Sequence, residues 1–251
     1  MSGRTVDPVA EIGWYGKIPA AGDFVYRRLP RPVITEWDMW LQQCFAQHRR
    51  AQQIAGEDSS LSSGQVWQFL LPGGVGQGWL QAGCIAPSRD RVGRRYAVVA
   101  MMLLDPGSWR TEWAPLLETA YLQMRSGLRD VIQRGSGADH LDRLLLQLRE
   151  TLAARWSNTL TDARRISSPS QDILDILNAG MTTPEVDVPV PSMAASLHPA
   201  LSSGFNPHAH TSLWWASAGD GVPMRTCMHG GRLNVMLFQR LFASAGMGGI
   251  A

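Results

Sequence analysis

The stretch Tyr96-Ala97-Val98-Val99-Ala100-Met101-Met102-Leu103-Leu104 has no polar alternation. It is about half the length that spans a bilayer, and Asp105-Pro106-Gly107 ends it. Alternate side chains of a strand leave on opposite faces. A strand that is apolar at every position is therefore covered on both faces. Helices above and below a sheet meet that requirement. Gln65 to Leu71 and Gly78 to Ala86 read as two preceding strands, and their short connections favour an antiparallel meander over parallel crossovers. The expected fold class is α/β, a three-layer αβα sandwich around a mainly antiparallel, mixed sheet.

The rest of the chain supplies the covering layers. Ile12 to Gly16 reads as a short strand, and Lys17 to Arg31 as a series of turns punctuated by Pro19, Gly22, Pro30 and Pro32. Thr35 reads as an N-cap with Asp38 completing a variant capping box. Trp37, Trp40, Leu41, Cys44 and Phe45 then fall on one face of a helix running to about Gln53. Gly56 to Gly64 is a polar loop. Trp113 to Ile132 is a long amphipathic helix, broken at Gly135-Ser136-Gly137. A second helix carries Leu141, Leu144, Leu145, Leu148 and Leu152, with Asp139 as its expected N-cap. Ser157 to Ser170 reads as irregular, followed by a short helix with Ile173, Leu174, Ile176 and Leu177. Met181 to His210 is rich in proline and lacks periodicity. Ser212 to Ala216 and Met224 to Met228 read as a hairpin across Gly219-Asp220-Gly221. A closing helix, Gly231 to Ala243, places Leu233, Met236, Leu237, Leu241 and Phe242 on one side.

Bulk charge excludes little but is informative. The net charge is +2, too balanced to predict nucleic-acid or anionic-membrane binding. Cys44, Cys84 and Cys227 are odd in number and widely separated, with no CxxC. Neither a disulfide framework nor a zinc ribbon is suggested, and a reduced, cytoplasmic setting fits. Met1 to Glu11 lacks the apolar core of a signal peptide.

The search for chemistry yields few candidates. Gly13-Trp14-Tyr15-Gly16-Lys17-Ile18-Pro19-Ala20-Ala21-Gly22-Asp23-Phe24 is dense in glycine and holds the only lysine of the chain. A Walker loop needs four residues between its first glycine and the Gly-Lys pair, and Gly13 and Gly16-Lys17 are too close. There is no GxGxxG, GxSxG or HExxH. His198, His208, His210, Cys227 and His229 could assemble a tetrahedral site, but their spacing matches no standard metal pattern. No metal and no cofactor is expected. Asp23, Asp90 and Asp220 lie in turns, where aspartate serves the backbone. Arg89-Asp90-Arg91-Val92-Gly93-Arg94-Arg95 is a basic turn, read as one buried ion pair with the remaining arginines exposed. Trp214-Trp215 is read as half core and half surface, with Trp215 a candidate protein-binding anchor.

Several of these stretches, in this order, resemble the TagF family, also called ImpM, of type VI secretion-associated proteins. They are Gly13 to Pro19, Gly22-Asp23-Phe24-Val25, Arg28-Leu29-Pro30, Trp37 to Leu41, Trp67 to Gly73, Pro87 to Arg94 and Ser212 to Trp215. At Arg95-Tyr96-Ala97 the chain departs from a proline common in that family. The resemblance implies an α/β sandwich and one TagF-like domain over 10–245. Its sheet-rich part would be 10–110, its helical part 111–180, and 211–245 would return to the sheet after a flexible 1–9. Phosphatase motifs found fused in some members are absent, which implies the stand-alone form. It further implies a cytoplasmic, post-translational regulator, a repressor acting through the forkhead-associated scaffold protein of the secretion system. No catalytic residues carry over.

On this reading Gly13, Trp14, Tyr15, Gly16, Lys17, Pro19, Gly22, Asp23, Phe24, Asp90, Gly93 and Arg94 form a structural motif. Lys17 and Asp23 are expected to pair with groups elsewhere, Asp23 with Arg94. Arg89, Arg91, Trp215 and parts of Met181 to His210 are the expected partner contacts. Two alternatives stand beside it: a hydrolase with a cleft around Lys17, Asp23 and Arg94, and a structural subunit of the apparatus. Mutual ion pairs at those three residues argue against the hydrolase; an open pocket argues for it.

Overall fold

The computed structural model describes residues 9–55, 65–110, 113–166, 205–216 and 225–242. The strands are β1 (Val9–Gly16), β2 (Val25–Arg27), β3 (Trp67–Leu71), β4 (Leu80–Arg89), β5 (Arg95–Leu104), β6 (Thr211–Ala216) and β7 (Arg225–Gly230). They form one sheet in the order β2-β1-β5-β4-β3-β6-β7, antiparallel at every pairing. The apolar run is β5, central enough to have β1 on one side and β4 on the other. Tyr96 to Leu104 is buried throughout.

The two faces have separate cores. Val98, Ala100, Met102 and Leu104 of β5 face α2 (Ala114–Gln133) and α3 (Ala138–Ile166). Ala97, Val99, Met101 and Leu103 face α1 (Arg31–Ala55) and the last helix, α4 (Val235–Phe242). The period-two alternation thus divides β5 between two covering layers, as a strand with no polar face requires. The three-layer α/β sandwich is the observed fold.

Indole N–H groups tie α1 and α4 to the sheet and to each other. Trp37 donates to Gln81 Oε1 at 2.8 Å, and Gln81 donates onward to the Gly76 carbonyl at 2.9 Å. Trp40 and Trp67 donate to the carbonyls of Asn234 and Leu241, both at 2.8 Å. A buried tryptophan gains packing area and satisfies its one donor at a sequence-distant acceptor.

Several local expectations are corrected. α1 starts at Arg31, not after Thr35; Pro32 occupies its first turn, where the missing N–H costs nothing. Thr35 Oγ1 donates to the Arg31 carbonyl at 3.0 Å within the helix, so it caps nothing. Asp139 lies inside the first turn of α3. Residues 157–166 continue α3 as helix, where polar composition had suggested irregular chain. Val25–Arg27, read as turn, pairs with β1. In α4, Phe238 is buried and Met236 is 61% exposed. The segments read at 1–8, 56–64, 167–204 and 217–224 lie outside the described residues, including the short helix with Ile173, the 219–221 turn, His198 and Asp220.

Trp214 and Trp215 are both 0% exposed. Trp214 packs against Trp37 and Phe69 on the α1 face, and Trp215 meets the Tyr121 ring at 4.9 Å on the α2 face. Trp215 is therefore no surface anchor. β6 lies next to β3 inside the sheet, so both of its faces are covered, like those of β5.

Candidate functional site

The turn after β1 and the turn between β4 and β5 meet at one end of the sheet. Gly16 makes the meeting possible. Its φ of +138° suits glycine, and a Cβ there would collide with the Ala97 carbonyl oxygen. Lys17 N donates to that same carbonyl at 3.1 Å. The opposing turn closes at Gly93, whose φ is +88°; its N–H donates to Asp90 O at 2.9 Å. Arg91 N donates to Ala21 O at 2.8 Å and Arg94 Nη2 to Gly22 O at 2.7 Å. The two sequence motifs are thus stitched together by backbone bonds and by the Arg94 guanidinium.

Asp90 sits at the centre with every acceptor position filled. Its Oδ2 accepts from Lys17 Nζ at 2.9 Å and Arg94 Nε at 2.6 Å. Its Oδ1 accepts from the backbone N–H groups of Val92 at 3.1 Å and Arg94 at 2.9 Å. Burial alone would raise its pKa, but Lys17 and the Arg94 backbone and side chain outweigh burial and hold the carboxyl well below the usual carboxylate range. The Lys17 ammonium is 6% exposed as a residue and lies 4.7 Å from the Phe24 ring centroid. A carboxylate so occupied has no lone pair left for a reacting proton.

Asp23 does not join this cluster. Its Oδ1 accepts from the N–H of the next residue, Phe24, at 2.8 Å, an exposed local contact. The expected Asp23–Arg94 pair is replaced by Asp90–Arg94, because Asp90 is on the same turn as Arg94 and already buried. Pro19 and Gly22 shape the intervening turn. Gly13 and Trp14 belong to β1, Trp14 facing the α2/α3 core. Arg89 and Arg91 are exposed beside the turn.

A second polar cluster adjoins the first and had no separate signal in the sequence. Tyr15 of β1 and Tyr96 of β5 both donate to Asp38 Oδ1 of α1, Tyr96 at 2.8 Å. Gln42 Nε2 donates to Asp38 Oδ2 at 2.7 Å. Burial, and then the Asp38 hydrogen bond, push the Tyr15 hydroxyl far above its ordinary pKa; burial and the Tyr15 hydroxyl do the same for Tyr96. Phe24 stacks on Tyr15 at 5.7 Å and meets Tyr96 edge-on at 4.8 Å. Asp38, read as part of a capping box, instead fastens α1 to two strands. The signal available was its place in Trp37-Asp38-Met39-Trp40-Leu41, one of the stretches of the family resemblance.

Between α1 and these turns runs a groove of about 610 Å³. One wall is the α1 stripe Gln42, Phe45, Ala46, Arg49 and Gln52; the other is Gly93 to Tyr96, with Lys17 and Phe24. Among the described residues it carries four cationic residues and no acidic one. A second groove of about 620 Å³ lies across α1, between Glu36, Met39, Gln77 and Arg232. Among the described residues, no three His, Cys, Asp or Glu side chains gather as a metal site. His208, His210, Cys227 and His229 form none; His229 Nε2 lies 2.9 Å from the Arg232 carbonyl. Among the described residues no helix is long and apolar enough to cross a membrane. The cysteines described are free thiols, Cys44 and Cys84 both buried.

The crystal structure of PA0076 from Pseudomonas aeruginosa PAO1 has a similar fold, with TM-score 0.52 and 20% sequence identity, covering 96% of this chain and 98% of that one. No curated protein matches the chain. A family model described as the TagF N-terminal domain, type VI secretion system-associated, matches residues 13–148. That span holds both meeting turns, Asp38 and the groove, and it is more than half of the chain, which therefore belongs to the TagF family of type VI secretion-associated proteins.

Proposed function

We propose that the protein is a post-translational repressor of a type VI secretion system that works by binding, not by catalysis. It holds the forkhead-associated scaffold, or another assembly component, away from productive assembly in the cytoplasm. The observation that carries this reading is the saturation of Asp90 by Lys17, Arg94 and two backbone N–H groups. Lys17 and Arg94, two of the three groups a hydrolase would have used, are spent on holding two turns together, and Asp23 stays outside their cluster. What they leave beside them is a shaped surface. Sequestration needs only affinity, and a micromolar complex corresponds to about 8 kcal/mol, within reach of a modest interface with a few arginine or aromatic anchors.

Deletion and overproduction test the proposal. Secretion of a type VI effector is expected to rise without the protein and to fall with excess. Overproduction of Asp90→Asn at a level that stays folded is expected to repress as the wild type does if the fold end is intact. Secretion unchanged by both deletion and excess overturns repression.

A further inference from the structure

The Asp90 cluster accounts for Lys17 and part of Arg94 in the groove between α1 and the β4–β5 turn, and it does not account for Arg49. Arg49, Arg94 and Arg95 line the groove as exposed residues, and among the described residues no acidic side chain lines it. Arg49 lies on the same α1 stripe as Phe45 and Ala46, and no partner for its side chain is seen among the described residues. Arg94 uses Nε and Nη2 internally, and its side chain is still 60% exposed. Phe24 is 37% exposed at the groove, and Val92 beside it is 69% exposed. The two nearby carboxylates are occupied: Asp90 as above, and Asp38 by two tyrosines and Gln42.

We infer that this groove binds an acidic segment of a protein partner, its carboxylates on Arg49, Arg94 and Arg95 and an apolar side chain against Phe24. Arginine forks match carboxylates in pairs, and aromatic and arginine side chains are the groups that anchor interfaces. The site is a concave slot walled by a helix and a turn, so it selects one extended chain. The overall charge of +2 supplies little bulk attraction for a membrane or a nucleic acid. The inference deepens the binding reading of the preceding subsection and rests on it for its biological meaning.

The test uses the full chain and a fluorescein-labelled peptide of alternating glutamate and leucine, with an alternating lysine and leucine peptide as its charge control. Binding is followed by anisotropy and located by amide chemical shifts. Saturable binding of the acidic peptide is expected, with shifts at residues 42–52 and 93–96, and none for the basic peptide. Arg49→Glu, at an exposed helix position that leaves the core untouched, is expected to weaken binding by at least about tenfold, and Arg31→Glu at the other groove to leave it unchanged. Equal binding by Arg49→Glu, shifts elsewhere, or binding to phosphatidylserine vesicles that Arg49→Glu abolishes in place of peptide binding would each overturn the inference. The two readings separate in cells. If Arg49→Glu loses peptide binding yet represses secretion fully, the groove is not the partner surface while repression stands. If wild-type excess never represses, repression fails whatever the peptide does.

Discussion

Lys17 and Asp90 lie 73 positions apart in sequence and meet at 2.9 Å in a buried ion pair. The pair joins the turn after β1 to the turn between β4 and β5, and Arg94 shares the same carboxylate oxygen. Removing one partner of a buried pair leaves the other charge uncompensated, and removing that charge as well relieves the cost. Asp90→Asn is therefore expected to destabilise more than the double substitution Lys17→Met with Asp90→Asn. Thermal unfolding at neutral pH compares them, and a double variant less stable than the single one would contradict the role given to the pair.

The same carboxylate sets an acid limb. Its folded pKa is depressed below the ordinary 3.8, so its contribution to stability is whole above that value and drains as pH falls through the folded pKa. Melting temperature is expected to fall steeply between about pH 4 and about pH 2 in the wild type, and less steeply in Asp90→Asn. Parallel curves for the two proteins would show that Asp90 does not carry this dependence.

Tyr15, Tyr96 and Tyr121 predict an alkaline limb of the opposite sign. Burial, the first cause in each case, raises all three hydroxyls above 10.0. The unfolded chain ionises at that ordinary value while the folded chain resists, so stability is present below it and is lost as pH rises beyond it. Absorbance at about 295 nm is expected to report these three of the four tyrosines only as the protein unfolds, at about pH 11 or above. Reversible titration of Tyr15 and Tyr96 in a folded protein would count against the Asp38 cluster.

Asp38 is expected to hold α1 against β1 and β5. Asp38→Ala strips partners from the Tyr15 and Tyr96 hydroxyls, at a cost of about 1–3 kcal/mol for the buried groups left unmade. Chemical denaturation measures it, and Tyr96→Phe is expected to cost less because Tyr15 keeps its acceptor. A neutral Asp38→Ala would return Asp38 to an exposed helix position with no clamp function.

Trp215→Ala is expected to cost about 3–5 kcal/mol, since the side chain is fully buried against Tyr121. Trp215→Phe is expected to cost less. A surface anchor would show the reverse pattern, with stability intact and partner binding lost, so denaturant unfolding decides between the two.

The layer architecture was legible because it follows from local patterning. The unbroken apolar run of β5 demanded cover on both faces, and the three- and four-residue spacing in Trp37, Trp40, Leu41, Cys44 and Phe45 identified the helix that supplies some of it. Ser212-Leu213-Trp214-Trp215 carries no such signal, because a short strand shows its two-sided burial only once its neighbours are known. The importance of Gly13 to Phe24 and of Asp90 to Arg94 was also legible as motif. Their partners were not: Asp23 and Asp90 are both turn aspartates, and nothing local says which one lies within reach of Lys17.

Periodicity, turn residues and motif order thus determined the fold class, the apolar face of α1 and the family from the sequence alone. Tertiary structure alone decided that Asp90 and not Asp23 receives Lys17 and Arg94, that Asp38 receives two tyrosines, and that Arg49 faces Arg94 and Arg95 across a groove. Burial and helical spacing are properties of a residue and its near neighbours along the chain. Ion pairs and grooves depend on which distant segments the sheet order brings side by side, and β5 stands beside β1 only because strand pairing places it there.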